Sequence, residues 1–362
     1  MIKTTHTVIL LIAIVYILVV TKALLLPFVV ALLIWYLVKD IRDWLAQNRF
    51  IRDYLPLWLQ NTLVFAIIFG VLTFVSRLLA ISLENFGTTI PTYEDNLVAM
   101  NAFIKERFDF DLVSYIQNFS GSFDFTQIVE PIVNSLSQLL SDGFMIVLYV
   151  IFLMLEESTF SIKHRLLFKD DESYQETVDL MRDIDVSFGS YISIKTFTSF
   201  VTGLLSYIVL LMLDVDIPLL WAIIIFLLNY IPSIGSLIAT TFPAIIAVLQ
   251  AGEFLPGLWV LIGVGLIQVV VGNFLEPRLM GNSLNISPLV VILSLIAWGA
   301  IWGVLGMVLS VPIMVMLIIV CARFESTRNI AIILSENGQI DNGRKEKRLE
   351  RRQQSADQVQ AD

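Results

Sequence analysis

The chain has one cysteine, Cys321, and two histidines, His6 and His164, in 362 residues. One cysteine excludes a disulfide framework or a cysteine metal site within the chain. Two histidines so far apart exclude the helical histidine pair of a metalloprotease. Charge is scarce as well: Asp, Glu, Lys and Arg make up 15% of the residues, where a soluble domain carries about a quarter. The signatures G-x-S-x-G, H-E-x-x-H and G-x-x-x-x-G-K-[ST] are missing. Without the last of these, the chain has no phosphate-cradling loop with which to drive transport by its own ATP hydrolysis. No catalytic residue, metal ligand, cofactor or nucleic-acid partner is assigned, and the expectation is of a protein that is not an enzyme.

What is abundant is apolar surface: 57% hydrophobic residues and a mean hydropathy of +0.81. That composition predicts an all-α, polytopic membrane bundle of about seven or eight spans, with the lipid bilayer as its first partner. Basic residues stay on the cytoplasmic side, so the distribution of the net charge of −9 matters more than its size.

Residues 1–83 read as N-terminal membrane spans. Val8–Val20 and Ala23–Val38 are apolar runs separated by Thr21 and Lys22. They form either a tight hairpin, the favoured reading, or one long helix kinked at Pro27. The first run is read as an uncleaved span, since no small-residue cleavage site follows it. Lys39, Arg42, Arg49 and Arg52 then mark a cytoplasmic loop, and Asn61–Leu83 a further span. Residues 84–137 hold eight acidic residues against Lys105 and Arg107, which predicts an extracytoplasmic helical insertion. Tyr93, Leu97, Met100 and Ile104 recur there at helical spacing. A span follows over 138–155, then a cytoplasmic amphipathic segment over 156–190. The C-terminal membrane core occupies 191–322, and 323–362 form a charged cytoplasmic tail.

Two stretches of that core, Pro218–Leu249 and Pro288–Ala322, are over-long for one span and broken by glycine and proline. They either cross or re-enter. If each doubles back, Arg278 lies on the cytoplasmic side; if Pro218–Leu249 crosses once, it lies outside. Between them, Glu276 and Arg278 flank Pro277. Charges at membrane depth are costly and usually face a protein interior or a water-filled path. The pathway or gating candidates are Lys195, Asn229, Pro232, Ser233, Gly235, Gln268, Asn273, Glu276 and Arg278. Lys195 could instead snorkel to the interface, with the hydroxyls after it bonding back to their own helix. Asn229 and Ser233 flank Pro232, which frees a carbonyl one turn back; the plain alternative is a self-satisfied kink. Gln268 and Glu276 are about two turns apart and could share a face. Glu276 and Arg278 cannot face each other, so each is expected to pair elsewhere, or to clamp a tight interfacial turn. Pro243, Gly299, Gly303, Gly306 and Pro312 are assigned to helix breaks and close packing.

The runs Leu228–Ser236, Gly272–Gly281, Ser287–Val291, Trp302–Met307 and Val311-Pro312 resemble the autoinducer-2 exporter (PerM-like permease) family, in order and spacing. The resemblance implies a bacterial inner-membrane transporter and a homo-oligomer, plausibly pentameric. Some members are assigned to export of the quorum-sensing signal autoinducer-2, others to sodium/proton exchange. Many relatives carry a glutamate directly before the Gly-Asn pair; here that position is Val271, which weighs against proton coupling.

The expected function is export of a small polar solute without an ATPase of its own. The alternatives are a cation/proton antiporter, with Glu276 as its carboxylate, and a scaffold that recruits partners through 156–190 and the tail. Deleting residues 344–362 separates transport from scaffolding. On the transport reading, the shortened protein keeps the full solute flux of the intact chain in liposomes; loss of a cellular phenotype with flux intact would favour the scaffold.

Overall fold

The computed structural model describes residues 2–45, 56–108, 141–167, 171–280 and 285–338. The later part of the insertion assigned to 84–137 and the tail from residue 339 on, with the basic residues from Arg344 to Arg352, lie outside the described residues. All regular structure among the described residues is helical. Five helices are long and apolar enough to cross a membrane: Lys22–Arg42, Thr177–Met212, Ile234–Ala251, Phe254–Met280 and Val304–Arg323. Shorter apolar helices cover Leu59–Val75, Pro218–Leu228 and Pro288–Trp302. The protein is a helical membrane bundle.

Helix α1 (Ile2–Val20) and helix α2 (Lys22–Leu45) meet at Thr21 alone. The Thr21 amide donates to Ile17 O at 2.8 Å and the Leu25 amide to Thr21 O at 2.9 Å. These are the i→i−4 bonds of an uninterrupted helix, whereas antiparallel helices need a connection of about 2–5 residues. The favoured hairpin is therefore overturned. The two runs form one helical path, and its joint is at Thr21 rather than Pro27. Lys22 and Thr21 are too few to reverse a chain whose backbone bonds are satisfied by going straight on.

Helix α3 (Leu57–Phe108) has 52 residues, about 78 Å at 1.5 Å per residue. It outruns a hydrocarbon core of about 30 Å, so the predicted span and the start of the insertion are one element. Helix α4 (Gly143–Leu167) similarly continues past its apolar part. Helix α5 (Asp171–Met212) joins the amphipathic segment to the next span.

Charge sorts the bundle into two ends. At the basic end, Lys39 pairs with Asp185 at 2.6 Å and Arg42 with Glu157 at 3.3 Å. Arg42 also donates to Asn61 at 3.2 Å, and Ser193 donates to Asp40. At the opposite end the chain turns through Asp214 and Asp216 into helix α6 (Pro218–Leu228), followed by helix α7 (Ile234–Ala251). The Asp216 amide donates to Gln250 Oε1 at 2.8 Å, and Gln250 Nε2 donates to Asp214 O at 2.7 Å. The segment that leaves this end at residue 216 thus returns to it at residue 250, so α6 and α7 are a hairpin inserted from the acidic end. The long α3 clasps its open ends. Asn96 donates to Leu249 O and Gln250 O, each at 2.9 Å, and Tyr93 to Asp216 at 2.8 Å. Burial, and then the bond to Asp216, hold the Tyr93 phenol above its ordinary range, so it remains a donor.

Helix α8 (Phe254–Val270) crosses back and continues through a five-residue π segment, Val271–Leu275, into α9 (Glu276–Met280) at the basic end. There Met280 packs with Phe188, Tyr191 and Ile192. Helices α10 (Pro288–Trp302) and α11 (Val304–Arg323) then form a second hairpin turning at Gly303. Ser294 of α10 donates to Ser310 O of α11 at 3.1 Å. The mouth of this hairpin lies at the basic end, where Ser287 donates to Leu334 O of the short helix α12 (Arg328–Leu334) at 3.0 Å. Of the two topologies left open by the sequence, the structure has the one in which both broken segments double back.

The hairpins enter from opposite ends and share a construction. Each begins with a proline, Pro218 or Pro288, in the first turn, where no backbone N–H is needed. Ten residues on, the carbonyls of Leu228 and Trp298 each face a glycine of the returning helix, Gly235 and Gly306. Each returning helix carries an internal proline, Pro243 or Pro312. Gly306 is thus the counterpart of Gly235. Gly303 has open space where a Cβ would stand, but its φ of +68° favours glycine.

A Cβ at Gly235 or Gly306 would run into a backbone carbonyl that cannot yield. Gly235→Val and Gly306→Val should each destabilise the detergent-solubilised protein by about 1–3 kcal/mol, the range for overpacked sites, seen as a lower Tm. Gly70→Ala, at a position with nothing within 4 Å, is the control and should leave Tm unchanged.

Candidate functional site

The hairpins enclose a polar cluster on α5 and α9. Lys195 Nζ donates to both carboxylate oxygens of Glu276, at 2.7 and 2.9 Å. The two side chains are only 7% and 18% exposed. Lys195 lies seventeen residues before the end of α5, about 26 Å along the axis at 1.5 Å per residue. That places the pair within the apolar thickness, toward the basic end. Lys195 therefore does not snorkel; it turns inward to a carboxylate from another span. Either charge alone at this depth would be strongly disfavoured, and each is met here by the other.

The tip of the α6–α7 hairpin closes over this pair. Asn229 Nδ2 donates to Ser199 Oγ at 3.0 Å, and Tyr230 Oη to Thr196 Oγ1 at 2.8 Å. Thr196, Thr198 and Thr202 bond back to the carbonyls of Ile192, Lys195 and Thr198 at 2.7, 3.2 and 2.8 Å, as hydroxyls in an apolar helix should. Asn229 is 8% exposed. The break at Asn229–Ser233 is thus more than a self-satisfied kink: its amide and phenol are spent on α5. Ser233 itself is exposed, with φ 58° and ψ −55°, and Pro232 is half-buried. Gly235 lets the returning helix start directly beneath the Leu228 carbonyl.

The π segment helps to place Glu276. Eight residues of plain α-helix would leave Gln268 and Glu276 about 80° apart around the axis. Five residues at the wider π turn take back roughly that angle, so the two can share the face that looks at α5. Gln268 Nε2 is buried without a hydrogen-bond partner. Asn273 and Arg278 are exposed, and Arg278 has no ion-pair partner among the described residues. The expectation that Arg278 pairs with another element is not met there; only Glu276 does so. A Cβ at Gly299 would stand 2.9 Å from Met307 Cε, and Pro243 and Pro312 are buried within their helices.

Sequence reasoning passed over Tyr191 and Ser206. Tyr191 is 4% exposed and packs with Met280, next to Glu276 on its short helix. Ser206 is fully buried. The signal was present in the spacing of Tyr191, Lys195, Ser199, Thr202 and Ser206, which at three and four residues makes one polar stripe on an otherwise apolar helix.

Residues 8–325 match the family model described as AI-2E family transporter. The chain belongs to this family. A protein of Haemophilus influenzae, provisionally named as a transport protein, is 34% identical over 319 residues, covering 86% of this chain and 89% of that one. The AI-2 transport protein TqsA of Escherichia coli K12 is 31% identical over 314 residues, again with 86% and 89% covered. A Borreliella burgdorferi protein, also provisionally named for transport, is 27% identical over 330 residues, covering 89% and 88%. The resemblance drawn from the broken segments thus holds over nearly the whole chain, and membrane transport is the family role.

Lys195→Met leaves Glu276 without its partner in a low-dielectric site, a change that costs about 3–5 kcal/mol. Lys195→Met combined with Glu276→Leu should recover most of that loss, because it removes both desolvation penalties. Chemical denaturation of the two single variants and the double variant in detergent measures the coupling.

Proposed function

We propose that the protein moves a small polar solute outward across the bacterial inner membrane. The pathway runs past the Lys195–Glu276 pair, between the two opposing hairpins. The observation that carries this reading is a buried ion pair, ringed by Asn229, Tyr230, Thr196 and Ser199, at a depth where only a polar pathway or a costly structural clamp would place it. Helix breaks and hairpin tips around a polar centre are a transporter construction. The basic end, with Lys39, Arg42, Lys163, Arg165, Arg182 and Arg323, is the cytoplasmic one on the positive-inside rule, which puts the C-terminal tail in the cytoplasm. The chain has no ATP-binding loop motif, so the solute follows its own gradient, or is driven by that of an ion or by a separate subunit. Autoinducer-2, named for the Escherichia coli relative, is the first solute to try, and the working form is a homo-oligomer.

Proton or sodium exchange is the less supported reading. Val271 stands at 3% exposure where an acid would serve, and Glu276 already has a lysine partner. In everted vesicles, sodium addition should therefore cause no dequenching of a pH dye.

The test is flux in liposomes containing the purified protein, with autoinducer-2, erythritol, lactate and ethanolamine as neutral, anionic and cationic probes. Glu276→Gln leaves Lys195 with a weaker, neutral partner and should lower the flux of the transported probe about tenfold or more, a rise of at least about 1.4 kcal/mol in the barrier. Unchanged flux and oligomeric state in both Glu276→Gln and Lys195→Gln would overturn the assignment of this pair to the pathway.

A further inference from the structure

Two buried polar atoms between α5 and α8 have no hydrogen-bond partner among the described residues: Ser206 Oγ and Gln268 Nε2. Helices α5 and α8 run antiparallel, with Gly263 facing Val209 at one level and Glu276 paired to Lys195 at another. That register sets Gln268 level with residues 203–204 of α5, between Thr202 and Ser206. Both atoms therefore belong to one zone. It lies about 16 Å from the Lys195 level toward the acidic end, taking Ser206 at 1.5 Å per residue. Helix α6 closes the zone on one side, since a Cβ on Gly203 would come within 3.1 Å of Ala222 O and of Phe226 Cβ. Helix α7 closes α8 on another, with Thr240 Cγ2 3.6 Å from the Cβ position of Gly265.

An unmet donor in an apolar interior is unfavourable, and neighbouring helix hydroxyls avoid that cost. Thr198 and Thr202 both bond back to their own helix, whereas Ser206, one turn further on, does not. Ser206 is fully buried, so bulk water does not satisfy it in this conformation. Gln268 is a long amide in a helix of valines, isoleucines and leucines, where a hydrocarbon residue would pack without penalty.

We infer that Ser206 and Gln268, with Thr202 beside them, form a second solute-binding station within the acidic-end half of the membrane, which takes an uncharged group bearing oxygen acceptors. The amide N–H of Gln268 requires an acceptor, and the Ser206 hydroxyl can give or receive one hydrogen bond. Neither carries charge, and the Lys195–Glu276 pair, about 16 Å along α5, is internally neutral. A net ionic solute would meet no counter-charge at this station, while a hydroxyl, ether or carbonyl oxygen would meet two waiting partners. The inference rests on the transport reading above and adds to it a place and a chemical class.

The experiment uses full-length protein in liposomes with the same four probes. Erythritol or autoinducer-2 should move, while lactate and ethanolamine should neither move nor compete. Ser206→Ala and Gln268→Met should raise the KM for the moved probe about five- to tenfold, the loss of one hydrogen bond. Their Tm should be unchanged or higher, because an unmet polar group has been removed. Ser206→Thr, which keeps the hydroxyl, should retain near-normal KM. In a Cys321→Ser background, Ser206→Cys should react with a small methanethiosulfonate more slowly when the moved probe is present. Wild-type flux with unaltered KM in both variants, or with labelling indifferent to the probe, would overturn the station and leave transport standing. So would a fall in Tm that accompanies every loss of flux, which would make the two residues structural. Absence of wild-type flux for all four probes would instead remove the transport reading itself.

Discussion

The arrangement of the C-terminal half depends on one constraint: a lysine and a glutamate held at bilayer depth must find each other. Lys195 on α5 and Glu276 on α9 satisfy this with a two-oxygen contact. The pairing brings the end of the α8–α9 span against the middle of α5, which fixes the antiparallel register of the two central helices. In water such a pair contributes little. In a low-dielectric interior, breaking it strands a charge, so the contact acts as a fixed point around which the hairpins are arranged.

The hairpins follow from a second constraint, that every backbone polar group in lipid be met internally. A chain that reverses inside the bilayer cannot leave a loop facing acyl chains. Here the reversals are short and covered. Asn229 and Tyr230 attach the first tip to Ser199 and Thr196, and the Trp302 indole near the second tip donates to Leu18 O on α1 at 3.2 Å. Glycines at the tips allow the returning helix to begin within van der Waals reach of the outgoing one. At the acidic end the arm of α3 binds both legs of the first hairpin at once, so that arm and the polar centre are joined through the hairpin.

Much of this was legible from composition. Scarce charge and long apolar runs give a helical membrane bundle because no other structure but a closed barrel satisfies its backbone in lipid. The glycines and prolines of Pro218–Leu249 and Pro288–Ala322 marked broken helices. The family motif around Gly272–Gly281 led to transport. The first two helices were misread because apolar runs on either side of Thr21-Lys22 look alike whether the chain reverses or goes on. Only the backbone bonds across Thr21 distinguish the two. The internal correspondence of the hairpins was hidden because it rests on the glycine that faces a carbonyl ten residues into each, and Gly303 competes with Gly306 for that role in the sequence.

The sequence by itself determined that the chain is helical, lies in a membrane and keeps few, isolated charges there, since transfer energies depend on composition and run length alone. It also named Lys195 and Glu276, because a charge in an apolar run is visible without a partner. Tertiary structure alone decided that these two meet across 81 residues of chain, that both broken segments double back, and that Arg278 stays exposed. It also decided that Ser206 and Gln268 stand unmet at one level. Pairing, reversal and hydrogen-bond satisfaction are relations between segments, and a helix contains no record of which face another helix will cover.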